Sequence, residues 1–270
     1  MTPSKNVATA DQRPFAAFSG GALIGFLGGL MGLGGAEFRL PLLIGLFRFR
    51  ALEAIILNKA MSLIVVASAL LFRTKHIPLD LVFTHIPIVI NLLAGSLLGA
   101  WFGASWATRM HSRTLYRLIA VLLVGIAAIL VMGHGATGTG VAALSGWQLW
   151  LAGTVAGFGI GVVASLMGVA GGELLIPTLV LLFGLDIKLA GSLSLCISLP
   201  TMLVGFTRYS RDRSFEVLRL NRTFVVVMAT GSVIGALIGG LLLGFVSASV
   251  LYPILALILL LSAIKVWRHE

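Results

Sequence analysis

The chain has 270 residues, of which 59% are hydrophobic and only 10% charged, with a formal net charge of +10. Soluble domains carry about 25% charged residues, so the composition excludes an ordinary water-soluble domain. The basic residues lie in short clusters between hydrophobic windows, without one basic, aromatic-rich patch, which argues against a nucleic-acid-binding protein. The sequence therefore predicts an all-α, polytopic transmembrane helical bundle whose main partner is the lipid bilayer.

The predicted elements begin with a polar tail over residues 1–14, which we interpret as cytoplasmic. Five apolar segments follow, and five more repeat them in the second half. A bilayer core of about 30 Å needs about 20 helical residues, which most of these segments reach. The second segment of each half is too short to span the core. The segments of the first half are 15–33, 38–47, 51–72, 82–107 and 115–132.

The two halves are copies of one unit. "LMGLGGAEFRLP" begins at Leu30 and "LMGVAGGELLIP" at Leu166, and the same shift still aligns Leu115 and Tyr116 with Leu251 and Tyr252. A chance match would not hold its register over such a distance. We predict transmembrane repeats over 15–133 and 147–267, joined by an extracytoplasmic linker over 134–146 that lacks Lys and Arg.

Charged loops indicate how the copies are oriented. In the first copy the loop at 109–117 is strongly basic, whereas in the second copy the loop at 208–222, which corresponds to a different turn, is the basic one. Under the positive-inside rule, corresponding turns then face opposite sides, as in the inverted repeats of secondary transporters. Both termini and both basic loops are predicted to be cytoplasmic, with Arg73 and Lys75 as exceptions to the rule.

A glutamate immediately precedes each short apolar segment. Because ten residues rise only about 15 Å, segments 38–47 and 174–183 are predicted to follow a break within the membrane, and whether they span or re-enter stays open. A carboxylate at that depth costs about 2.5–3.5 kcal/mol. Glu37 and Glu173 are therefore either helix caps or part of a substrate site or proton relay. Glycines around them expose N–H groups suited to anions, namely Gly32, Gly34, Gly35, Gly168, Gly171 and Gly172.

Other polar residues accompany the breaks. Asn58 and Lys59 follow the first break, and Ser194 and Ser198 follow the second. We predict that these four residues contribute to a substrate-binding or proton-relay site, in which Lys59 neutralises Glu37 or attracts an anion. Arg39 is interpreted as an interfacial anchor. No catalytic, metal-binding or cofactor-binding spacing is present in the sequence, so neither an enzyme nor a metalloprotein is predicted.

Glycines spaced four residues apart predict close helix packing. One series begins at Gly21 and has a counterpart that begins at Gly153, and another begins at Gly95 with a counterpart at Gly231. We interpret these series as packing faces, not as ligand contacts.

The paired breaks resemble those of the sulfite exporter TauE/SafE family, also called TSUP transporters. "GLGGAEFRLP" from Gly32 and "GVAGGELLIP" from Gly168 carry the resemblance, which extends from Phe15 to about Trp267. It implies a prokaryotic inner-membrane carrier that exports small anions such as sulfite, organosulfonates or related carboxylates, with protons as a suspected coupling partner. An anion channel and a structural or assembly protein are the alternatives that the sequence leaves open.

Overall fold

A computed structural model describes residues 14–31, 35–73, 83–132, 145–185, 187–210 and 215–242, together with seven helical positions between 257 and 267. The described residues form α-helices without strands, which confirms the predicted all-α class. The tail at 1–13 and most of the linker lie outside the described residues. In chain order the helices are α1 (Pro14–Met31), α2 (Ala36–Gly45), α3 (Ala51–Arg73), α4 (Ile86–Ala107), α5 (Ser112–Met132), α6 (Gly146–Met167), α7 (Gly172–Phe183), α8 (Ile187–Ser210), α9 (Glu216–Leu220) and α10 (Arg222–Leu241).

Five of the described helices contain stretches long and apolar enough to cross a membrane. The chain is therefore a multi-pass membrane protein. Helices α2 and α7, of 10 and 12 residues, are too short for a full crossing. The five spanning stretches are Ala51–Leu70, Ile86–Ala107, Gly146–Met167, Leu189–Ser210 and Arg222–Gly239.

The glycine series form the two closest helix interfaces. In α1, a Cβ added to Gly21 or Gly25 would strike the backbone carbonyl of Met228 or Ser232 in α10. The second interface repeats this arrangement between α4 and α6, where Gly99 faces the carbonyl of Phe158. The predicted packing faces are thus confirmed, and each interface joins a helix of the first half to one of the second.

The helices of the two halves correspond in sequence position. Helices α7, α8 and α10 each begin 136 residues after α2, α3 and α4, respectively. Packing between the two halves follows the same correspondence. Helix α1 of the first half packs on α10 of the second half, and their counterparts, α6 and α4, pack on each other. Two copies related by a two-fold axis would pack in this way.

Contacts along α3 and α6 run in opposite order. Lys59 contacts Ser165, whereas Ile55, one turn earlier in α3, contacts Gly168, which lies later in the chain. Helix α6 runs parallel to α4, and α4 runs parallel to α8, since the contact pairs ascend together. Those pairs are Gly95 with Thr154, Gly103 with Val162, Ser96 with Thr201, and Ser105 with Arg208. Helix α3 therefore runs opposite to its counterpart α8, which favours the inverted arrangement without establishing it for the whole repeat.

Glycines with positive φ end and restart the chain at the breaks. Gly168 closes α6 at φ 67°, and Gly171 precedes α7 at φ 82°. In the first copy Gly35 precedes α2 at φ 69°. Only glycine adopts this left-handed conformation at little cost. The glycines therefore account for the sharp turns in the described parts of both breaks.

Candidate functional site

The glutamate of each break is the second residue of a short helix. Glu37 in α2 is fully buried, and Glu173 in α7 is only 3% exposed. Each carboxyl group lies at a helix N-terminus, where the helix dipole favours negative charge. No amide, hydroxyl or cationic side chain in the described part of the chain donates a hydrogen bond to either carboxyl group. Glu37 also interacts with its own backbone N–H at the start of α2, which is the local contact that a helix-cap interpretation predicts.

The two carboxyl groups come from different halves of the chain but lie near each other. Glu37 interacts with Glu173 electrostatically and through a side-chain hydrogen bond, which requires a proton on one of the two carboxyl groups. Glu37 also interacts with the nearby guanidinium of Arg39. Two buried carboxylates repel each other strongly in a low-dielectric surround, so this arrangement requires nearby positive charge or a proton.

Arg39 supplies one positive charge and is fully buried. The prediction of an interfacial anchor is therefore wrong. Helix α2 is short and enclosed, with eight of its ten residues buried, Arg39 among them. The Nη1 atom of Arg39 donates to Ser62 Oγ at 3.1 Å and to Asn58 Oδ1 at 3.4 Å. Its Nε and Nη2 atoms have no partner among the described residues.

Asn58 connects the breaks of the two copies. Its Nδ2 donates to the carbonyl of Ala36, the first residue of α2, at 3.0 Å. It also donates to the carbonyl of Met167, the last residue of α6, at 3.2 Å. Because its Oδ1 accepts from Arg39, this one amide links both breaks to the buried guanidinium.

Lys59 supplies the second buried positive charge. Its Nζ donates to Ser165 Oγ at 3.1 Å and lies 5.9 Å from the centre of the Tyr209 ring, a cation–π distance. The Tyr209 hydroxyl donates to the Ser165 carbonyl at 3.0 Å. Neither oxygen of Glu37 accepts a hydrogen bond from Lys59. Lys59 is thus held by the second half of the chain, and no direct pairing with Glu37 is present.

The remaining predicted site residues divide into three groups. Gly35, Gly168 and Gly171 form the turns of the breaks, and Gly172 begins α7. Ser194 donates to the carbonyl of Gly191 in its own helix, and Ser198 is buried with no described partner for its hydroxyl. Gly32 and Gly34 lie outside the described residues.

Eight buried residues make up what we call the central polar cluster. The described charges within it are two carboxylates and two cations, which sum to zero when all four are ionised. Its members are Glu37, Arg39, Asn58, Lys59, Ser62, Ser165, Glu173 and Tyr209.

Sequence reasoning missed four members of this cluster: Arg39 as a site residue, Ser62, Ser165 and Tyr209. The burial of Arg39 could have been inferred from the sequence. An arginine side chain in a helix too short to reach the membrane interface cannot extend to water. No feature of the sequence identified Ser165 or Tyr209 as site residues. Their roles depend on Lys59, which lies more than a hundred residues away in the sequence.

Broken helices that meet inside a membrane and carry buried charge define a class of proteins in which small ions or solutes bind near the centre of the bilayer. Comparison with known protein families adds a more specific observation. Residues 2–130 match the family described as sulfite exporter TauE/SafE. This match agrees with the family resemblance inferred from the breaks, and it ends at residue 130, close to the end of the predicted first repeat. No curated protein and no solved structure matches the chain.

Proposed function

We propose that the chain is a secondary transporter that exports small anions such as sulfite, organosulfonates or related carboxylates. The observation that carries the proposal is the central polar cluster beside the two helix breaks. It contains two buried cations from the first half and one buried carboxylate from each half. Buried charge without full pairing is costly in a membrane protein and is characteristic of a transport pathway. The match to a family named for sulfite export supports the same substrate class.

The arrangement of the two halves suits alternating access. Each half contributes one break and one glutamate to the site, and each glycine-lined interface joins a helix of one half to a helix of the other. A site shared between two units opens to one side or the other when the units rock. The glycine interfaces pair α1 with α10 and α4 with α6, which gives the protein two closely packed helix pairs that can move as bodies.

Charge balance suggests how protons enter the cycle. The four ionised groups of the cluster sum to zero, so a bound monoanion leaves one net negative charge in a buried site. Uptake of one proton by Glu37 or Glu173 restores neutrality at that moment. We propose that this proton travels with the anion, and that its release on the far side couples anion flux to the pH gradient.

For the membrane arrangement we propose a prokaryotic inner membrane, inverted repeats over 15–133 and 147–267, and cytoplasmic termini. The loops at 109–117 and 208–222 face the cytoplasm and the linker at 134–146 faces outward. The supporting observations are the charges of corresponding loops and the opposite directions of α3 and α8.

The proposal is tested in proteoliposomes that contain the purified protein. Uptake of labelled sulfite is measured with and without a pH gradient, and again with unlabelled sulfite inside the vesicles. A carrier is expected to be accelerated by sulfite on the opposite side, whereas a channel is not. Protein-free vesicles provide the background. Uptake equal to that background for sulfite, a sulfonate and a carboxylate would refute the anion-transport function.

A further inference from the structure

We infer that the free edge of Arg39 is the anion-binding group of this protein and selects anions that present two oxygens on one atom. The inference rests on the proposed anion transport and assigns the substrate contact within it. It depends on three observations: which nitrogens of Arg39 are occupied, how the guanidinium is held, and what occupies the equivalent position in the second repeat.

The occupied and free nitrogens of Arg39 are on different edges of the guanidinium. Both hydrogen bonds that position the group come from Nη1. The unpartnered atoms, Nε and Nη2, together form one side of the planar group. Their two N–H bonds point the same way, in the geometry that binds two oxygens of one carboxylate or similar oxyanion. A complete bidentate donor is therefore unused in a fully buried position.

The neighbouring residues fix the position of this edge without hydrogen-bonding to it. Asn58 and Ser62, one turn apart on α3, fix the Nη1 corner. The same Asn58 binds the start of α2 and the end of α6, so the guanidinium has a defined position relative to both breaks. Glu37 is near the guanidinium but accepts no hydrogen bond from it. The nearby carboxylate of Glu37 therefore does not occupy this edge.

The geometry of the edge determines which anions fit. Sulfite, sulfonates and carboxylates each present a pair of oxygens bonded to one central atom, so each can accept both N–H bonds at once. A halide is a single sphere that accepts both N–H bonds only in a bent, converging geometry, so it gains less from this edge than an anion that offers one oxygen to each N–H. Lys59 is a compact charge that attracts any anion without this preference. Arg39 is thus expected to determine selectivity, with Lys59 contributing attraction alone.

The second repeat has no equivalent of this edge. The position of Arg39 corresponds to Leu175, which is buried in α7. Only one such edge is therefore present at the meeting point of the two described breaks. We expect one anion to be bound per chain in each transport cycle.

The test compares Arg39→Lys with Arg48→Lys, an exposed arginine just beyond the same short helix. Both changes keep the positive charge and remove a guanidinium. Loss of one charge-assisted hydrogen bond weakens binding by roughly tenfold, so the KM for sulfite flux in Arg39→Lys is expected to rise about tenfold or more. Chloride is used as a competitor of sulfite flux, and its inhibition constant is expected to change little. Arg48→Lys is expected to match the wild type in both measurements.

An unchanged sulfite KM in folded Arg39→Lys, beside active wild type, would overturn the inference while leaving the transport function intact. Equal loss of sulfite and chloride affinity would also overturn it, because that result assigns Arg39 a charge role only. Absence of flux in the wild type would instead refute the proposed function. If Arg39→Lys does not fold, Ser62→Ala is used, which keeps the arginine and removes one of its two anchors. A raised sulfite KM with unchanged chloride inhibition supports the inference there, and unchanged values for both contradict it.

Discussion

Replacing Gly157 with alanine tests whether backbone contact between α4 and α6 stabilises the fold. A Cβ at Gly157 would strike the carbonyl oxygen of Leu92 and lie 3.1 Å from its carbonyl carbon and 3.2 Å from its Cα. These are backbone atoms and cannot rotate away, so the two helices must separate. Gly159 is in the same helix, and an added Cβ there meets nothing within 4 Å. It is therefore the matched control.

The expected loss of stability follows from the difference in steric contact between Gly157 and Gly159. Forcing extra carbon into a well-packed interface costs about 1–3 kcal/mol, and a rigid backbone obstacle favours the upper part of that range. The gain in helix propensity from glycine to alanine, up to about 1 kcal/mol, is common to both variants. Subtracting the control therefore leaves the packing cost alone. We expect Gly157→Ala to be about 2–3 kcal/mol less stable than Gly159→Ala.

The assay is unfolding by SDS in mixed micelles, followed by the loss of helical circular dichroism. The free energy of unfolding is compared for the wild type and both variants under identical lipid and detergent conditions. A difference between the two variants below about 0.5 kcal/mol, the usual scale of surface substitutions, would show that the helices do not depend on this close contact.

Three further predictions concern the site and the topology. Glu37→Gln and Glu173→Gln keep the side-chain shape but cannot release a proton, so folded protein with anion binding but without pH-gradient-driven sulfite flux is expected; undiminished gradient-driven flux in both variants would contradict the relay. Asn58→Ala removes the amide between the breaks and is expected to lower the free energy of unfolding by about 1–3 kcal/mol, measured by SDS titration, whereas a stability equal to wild type would show that the amide link is dispensable. Thr139→Cys, in the linker, is expected to react with a membrane-impermeant thiol reagent from outside, in a protein whose Cys196 has been replaced; labelling only from the cytoplasmic side would contradict the inverted topology.

The elements of the fold could be predicted because their signals are local. The third segment was predicted at 51–72 and is found at Ala51–Arg73, and the second was predicted at 38–47 and is found at Ala36–Gly45. Apolar length defines the spans. The breaks follow from glycines such as Gly35 and Gly171, whose positive φ no other residue adopts cheaply.

The partners within the site could not be predicted, because the helices are apolar on nearly every side. An amphipathic pattern tells which face of a soluble helix is buried, but a membrane helix is apolar towards both lipid and protein. The position of Lys59 beside Ser165 and Tyr209 depends on how two distant helices pack. Arg39 was misinterpreted for a related reason: its burial depends on the enclosure of α2 by neighbours from the rest of the chain.

The unequal distribution of charge between the two halves fits the requirements of the proposed anion site. The glutamates occupy equivalent positions, but Arg39 and Lys59 correspond to the buried residues Leu175 and Leu195. With no cation the two carboxylates would repel an anion, and with a cation pair in both repeats the cluster would carry two net positive charges and release an anion slowly. With one pair of cations the net charge of the cluster is zero, and a single proton then balances the charge of a single bound anion. Duplication therefore explains the breaks, whereas divergence of Arg39 and Lys59 explains how a duplicated site could bind one negatively charged solute.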